Sequence, residues 1–174
     1  MTPALNETQK QRRHAAKVAE DYVFRGIILT HAPLGIGVVR ASSFYSRVDG
    51  MLVDVASLEL LSLFEIKCRN ISTDEIRIKH GWQGIMGCEK LNAMQQLSEA
   101  LQVPSRLFIC TMQDGIIHDV PVTNRKGGWE LKDTQTATRE MPEGVGRNLR
   151  NRRMATFSME TSKQLPFRAM NLEV

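Results

Sequence analysis

The residues of this chain best suited to chemistry are Asp49, Glu65 and Lys67. Two of them fall within Phe64-Glu65-Ile66-Lys67-Cys68-Arg69, where apolar and charged side chains alternate with the period of two expected of a strand with one face on a core. Phe64, Ile66 and Cys68 would point to one side, and Glu65, Lys67 and Arg69 to the other. A hydrophobic run through Leu60, Leu61 and Leu63 leads into the motif. Carboxylates and ammonium groups are rarely buried unless paired or metal-bound, so three charges on one face of such a strand ask for a chemical reason.

Asp49, sixteen residues before Glu65, supplies one. Arg47 to Val55 reads as a preceding strand and Ala56-Ser57-Leu58-Glu59 as a short connection, giving an antiparallel hairpin that sets Asp49 beside Glu65. Two converging carboxylates suit a hard divalent cation such as Mg²⁺. Lys67, on the same face as Glu65, would hold or deprotonate a water there and offset charge at a phosphate.

Asp49 followed by Glu65-x-Lys67 at the end of a hydrophobic strand resembles the PD-(D/E)xK nuclease superfamily. The segments V-D-G-M-L-V-D and F-E-I-K-C-R-N are similar to small nucleases of that superfamily found in bacteriophage and prophage genomes. The similarity runs on through E-K-L-N-A-M-Q-Q-L-S-E-A-L-Q-V-P-S-R-L-F-I-C and covers roughly residues 15 to 122. A bare Asp…Glu-x-Lys is a short pattern; the strand, the separation and the ordered helix and strand that follow give it weight. Val48 stands where the superfamily's name places a proline.

The resemblance implies a restriction-endonuclease-like α/β core and a metal-dependent deoxyribonuclease, phage-encoded, that leaves 5′-phosphate ends. It implies Mg²⁺ or Mn²⁺ held by Asp49, Glu65 and the backbone carbonyl of Ile66, with Lys67 at the attacking water. On the same ground Glu20, on the first helix, is a candidate third carboxylate, beside its plain reading as a solvent-facing glutamate. Gln83 and Lys90, on helix after the Glu-x-Lys strand, are candidates for contact with water or phosphate, beside an ordinary surface role. Arg69 joins them as a DNA contact, and a homodimer would let paired subunits cut both strands.

The elements that must position these residues are legible in outline. Ala15, Ala16, Val18, Ala19, Tyr22 and Val23 recur at helical spacing, predicting a helix from about Thr8 to Ile28 that carries Glu20. Val38 to Arg40 is a short strand, followed by the passage through Phe44, Tyr45 and Ser46 and then the hairpin. Ser72 and Glu75 form a capping box that should start a second helix. Gly81, Gly84 and Gly87 make its course uneven, either by letting a neighbouring backbone approach or by breaking the element, with the break expected near Gly87. Cys88 to Gln102 is a cleaner helix with Leu91, Met94, Leu97 and Leu101 on one stripe. Arg106 to Met112 and Ile116 to Val122 form a hairpin about Asp114-Gly115, and Pro121 puts the end of the second strand at an edge. The expected architecture is α-β-β-β-α-β, a mixed sheet flanked by helices.

The 174 residues suit one domain, with a core over about 8–122 and a basic C-terminal extension over about 123–174. That extension should add only β and loop structure: weak strands at Trp129 to Leu131 and Thr134 to Arg139, and an edge strand at Ala155 to Met159. It also holds Arg147, Arg150, Arg152 and Arg153, four arginines in seven residues without an acidic residue between them. The cluster suits bidentate, salt-sensitive phosphate contact with DNA, and equally a solvated charge run. The net charge of +4 is mild but also favours a polyanionic partner. Cys68, Cys88 and Cys110 lack C-x-x-C spacing, and the four histidines lack ligand spacing, which argues against a disulfide framework or a zinc site. No secretory h-region follows Lys10 to Arg13 and no stretch has bilayer-spanning length, so a cytoplasmic protein in a reducing compartment, away from membranes, is expected. Two other readings stay open: a non-catalytic nucleic-acid-binding or regulatory protein on a nuclease scaffold, and an unrelated α/β domain in which Glu65 and Lys67 are a surface ion pair.

Overall fold

The structure, a computed structural model, describes residues 7–41, 47–142 and 149–166. The elements run α1 (Glu7–His31), a 3₁₀ turn (Ala32–Leu34), β1 (Ile36–Arg40), β2 (Gly50–Asp54), β3 (Leu60–Arg69), α2 (Thr73–His80), β4 (Gln83–Gly87), α3 (Cys88–Leu101), β5 (Ser105–Thr111), β6 (Ile116–Thr123), β7 (Lys132–Pro142), β8 (Leu149–Ser158) and β9 (Lys163–Gln164). Six strands form a mixed sheet in the order β1-β2-β3-β5-β6-β9, in which only the β3–β5 pairing is parallel. A parallel neighbour requires a crossover, and α2, β4 and α3 provide it. Among the described residues no helix is long and apolar enough to cross a membrane.

Alternation along β3 sorts its side chains between two cores. On one face Phe64 and Ile66 pack with Val23, Phe24 and Ile27 of α1, which follow one another at helical spacing, and with Phe108 of β5. The Phe64 ring centroid lies 5.6 Å from Phe24 and 5.4 Å from Phe108, edge-on to the latter, a geometry worth about 0.5–1.5 kcal/mol per pair beyond area burial. The opposite face of the sheet, through Leu107, Ile109, Val120 and Val122, packs on Leu91 and Met94 of α3 and on Ala155 and Phe157 of β8. A buried hydroxyl chain helps fix α3 there. Thr123 donates to Ser98 Oγ at 2.6 Å and meets Ser105 Oγ at 2.7 Å.

The capping box forms as expected, and so does the hairpin, although its first strand runs only Gly50–Asp54 in place of Arg47 to Val55 and leaves Asp49 just before it. Asp54 Oδ1 accepts from the amides of Ala56 and Ser57 at 3.0 and 2.7 Å, turning the chain from β2 into β3. Ser72 Oγ accepts from the Glu75 amide at 3.1 Å, starting α2. The glycine-rich passage differs from expectation. The helix ends six residues earlier than predicted, at Gly81, which is left-handed with φ +58° and closes the last turn through its N–H to the Ile76 carbonyl. Gln83 to Gly87 is a strand, β4, in place of helix. Gly84 explains it: a Cβ there would sit 2.4 Å from the Phe157 ring, so only bare backbone lets Phe157 settle onto this segment.

Phe157 belongs to the second departure. β8 is the central strand of a separate three-stranded sheet, β4-β8-β7, in place of an edge strand at Ala155 to Met159. It starts at Leu149, and β7 covers Lys132 to Pro142, leaving Trp129 to Leu131 outside it. The C-terminal segment is therefore more than an extension, because Ala155, Phe157 and Met159 are fully buried in the core beneath the first sheet. Phe44 to Ser46 and Arg147 lie outside the described residues.

Candidate active site

The site begins where β2 and β3 part. Their register ends at Gly50 opposite Phe64, and a Cβ at Gly50 would lie 2.3 Å from the Phe64 ring and 2.7 Å from the Val39 carbonyl oxygen. Glycine lets the strands close over Phe64 immediately before they diverge. Asp49 still donates its amide to the Phe64 carbonyl at 2.9 Å, and its Oδ2 then accepts the Ile66 amide at 2.7 Å. A side chain thus takes the place of the next ladder bond. In a strand the N–H and C=O of one residue face the same edge, so the Ile66 carbonyl opens into the gap held by Asp49. On that edge β2 offers it no partner, since its register stops at Phe64.

Glu65 stands on the face turned toward α3 and is 1% exposed. Its Oε1 lies 2.6 Å from Lys67 Nζ and its Oε2 lies 2.9 Å from Lys90 Nζ. At that distance the Lys90 ammonium makes a charge-assisted contact with Oε2, so each oxygen of Glu65 faces a lysine. Burial raises the pKa of Glu65; Lys67 pulls it back and the charge of Asp49 adds to the rise. Lys90 Nζ also donates to the Arg47 carbonyl at 3.2 Å, which ties α3 to the chain entering β2.

The candidate hard oxygen donors are the Asp49 carboxylate, bonded to the Ile66 amide, the Glu65 carboxylate, which feels the Asp49 charge, and the Ile66 carbonyl. A hard cation held there would share the Glu65 carboxylate with the two lysines. The donor set fits Mg²⁺ or Mn²⁺ with the remaining positions left to water and substrate. Among the described residues no three of His, Cys, Asp and Glu come together as a ligand group.

Glu20 does not complete such a trio. It sits on α1, which packs on the opposite face of the sheet from Glu65, and it pairs with Arg40 at 3.4 Å, while Arg40 also bonds Asp21. Burial and then the Asp49 charge raise its pKa, so the two carboxylates sense each other across the end of the sheet. Gln83, moved from helix to β4, is exposed and lines a cavity with Arg69 instead of facing Glu65. Arg69 donates through Nη2 to the Ile85 carbonyl at 2.6 Å. Arg152 and Arg153 are exposed on β8, opposite Arg139 and Thr138 of β7, and Arg150 lies in the same strand opposite Met141.

Two features escape the sequence pattern. Lys90, a candidate by resemblance for water or phosphate, is instead brought onto Glu65 by the docking of α3 on the sheet, a contact its own helix pattern does not announce. The cavity beside Arg69, about 630 Å³, is lined from α2, β3, β4, β7 and β8, whose proximity no local motif announces. The nearest signal is the glycine at position 84, which marks close backbone approach. Compared with protein-family models, curated proteins and solved structures, the chain matches none of them.

Proposed function

We propose that the protein is a metal-dependent deoxyribonuclease with a restriction-endonuclease-like core, phage-encoded as its resemblance implies. The observation that carries this reading is Asp49 on the Ile66 amide at 2.7 Å, its charge felt by the buried Glu65, with Lys67 on Glu65 at 2.6 Å. Asp49, Glu65 and the Ile66 carbonyl would hold Mg²⁺ or Mn²⁺. That ion, when bound, supplies Lewis-acid stabilisation of charge on the phosphate and a more acidic water. Lys67, 31% exposed at its side chain, reaches from the buried carboxylate toward solvent and would position the attacking water. Lys90 holds the second oxygen of Glu65 and opposes the rise in its pKa that burial causes. Arg152 and Arg153, with Arg150 in the same strand, would add sequence-independent affinity for the phosphate backbone.

One observation favours a second reading. Both oxygens of Glu65 meet an ammonium group, an arrangement that a non-catalytic nucleic-acid-binding protein would also retain to hold α3 on the sheet.

The test is cleavage of supercoiled, linear and branched DNA in Mg²⁺, Mn²⁺ and EDTA. Metal-dependent cleavage that disappears in Lys67→Ala and Glu65→Ala is expected. The product pattern then separates internal, end-directed and junction cutting. DNA that is bound but left intact under every condition overturns catalysis in favour of the second reading.

A further inference from the structure

The cavity beside Arg69 is built unlike the rest of the surface. Its floor is apolar, made by Ile71, Ile76, Ile109 and Met159, and its rim is cationic, with Arg69, Lys79 and Arg139. No carboxylate among the described residues lines it, although Lys79 does pair with Glu75 at 2.8 Å beside it. Arg139 stands directly across the strand pair from Arg152. Like charges in that position repel, and an anion between them relieves the repulsion. Arg69 is half-buried, and burial lowers its pKa because no described carboxylate offsets the desolvated charge. One N–H is spent on the Ile85 carbonyl, so the remaining four donors of the guanidinium are free for a ligand.

Size and position narrow the ligand. About 630 Å³ lies in the range that encloses a single small organic group. An apolar floor beneath a cationic rim suits a flat base below and a phosphate above, as sites for unstacked bases are built. Arg69 follows Lys67 by two residues on the same face of β3, so the rim starts about 7 Å from the Lys67 position. That is a neighbouring unit of the same strand, not a separate molecule at a distant site. The side-chain amide of Gln83 is available at the wall for an edge of the base.

We infer that this cavity receives one unstacked nucleotide of a DNA strand whose adjacent phosphate lies at Lys67, with the base on the isoleucine and methionine floor and its phosphate between Arg69 and Arg139. The inference deepens the nuclease reading and rests on it for the reacting phosphate. It makes the substrate a single-stranded or frayed segment, since a base within an intact duplex cannot leave its stack without added cost.

The test measures binding in EDTA, where no cleavage intrudes, by fluorescence anisotropy with a labelled oligothymidylate, an abasic strand of equal length, a duplex, and free 5′-dTMP as competitor. Oligothymidylate is expected to bind about tenfold more tightly than the abasic strand, the effect of one base held in the cavity. Ile85→Trp, which fills the cavity from β4, should erase that factor and leave the abasic strand's affinity unchanged. Thr156→Trp fills it from β8, and Arg139→Ala removes an exposed rim charge, so the test survives a variant that does not fold. Equal affinity for the two strands, or an unchanged factor in the filled variants, overturns the inference. So does free 5′-dTMP that binds the cavity while the strand shows no base dependence. Cleavage in Mg²⁺ is scored on the same preparations: intact cleavage without base dependence overturns only the cavity assignment, and base dependence without cleavage overturns only the nuclease reading.

Discussion

Two buried carboxylates on the same sheet, Asp119 and Glu65, are neutralised in different ways. Asp119 of β6 is 6% exposed and meets a single arginine: Arg106 Nε donates to Oδ1 at 2.7 Å and Nη2 to Oδ2 at 2.6 Å. The planar fork satisfies both oxygens in one plane and leaves the pair neutral. Glu65 has two lysines, point charges on flexible stems from different elements, one at each oxygen. The first arrangement is closed. The second is a set of separate charges, two lysines on Glu65 with Asp49 nearby, in place of one closed pair.

The comparison predicts a double dissociation. Glu65→Gln should reduce metal-dependent cleavage by about 10³-fold or more, since it removes a ligand charge and the partner of Lys67. Its stability in urea should stay within about 1 kcal/mol of wild type, because burying an ion at this position is costly in the first place. An equal loss of stability would merge Glu65 with Asp119 as a structural residue. Lys90→Met, which keeps the apolar stem, should lower cleavage by about 10- to 100-fold through a less well held Glu65. Unchanged activity would confine Lys90 to holding α3.

Asp119→Asn should show the reverse pattern. It leaves Arg106 without its charged partner and should cost about 2–3 kcal/mol in chemical denaturation while cleavage per folded molecule stays near wild type. A drop in cleavage at preserved stability would remove the distinction between the two carboxylates.

The smallest effect concerns a third buried ionisable side chain, His118, which has no ionic partner. Its Nε2 meets Thr73 Oγ1 at 3.2 Å and its ring lies edge-on to Trp82 at 5.3 Å. Burial lowers its pKa below 6.5, a shift that Asp114 opposes and Arg77 reinforces. The unfolded chain therefore takes up the proton first. Stability is fully present above pH 6.5 and is lost as pH falls through that value toward the lower pKa of the folded state. His118→Gln should flatten that part of a stability-against-pH curve, and an unaltered slope would assign it to other groups.

Local chemistry determined much of this molecule. The alternation in Phe64 to Arg69, the connection at Ala56 to Glu59, the Ser72 cap and the helical stripe through Leu91 and Met94 are each written within a few residues, and the corresponding elements form where the sequence places them. The pairing of Asp49 with the β3 motif was likewise legible, because a hairpin is a short-range structure whose register follows from its turn. Gln83 was not: a run containing glycines at 81, 84 and 87 has weak preference for any state, and β4 forms because β8, more than sixty residues away, supplies the ladder and Phe157. Lys90 and the cavity at Arg69 are of the same kind. What a side chain touches after the chain has closed depends on packing between elements, and two lysines on one carboxylate, or three cations around an apolar floor, exist only once α3 and the second sheet dock on the first.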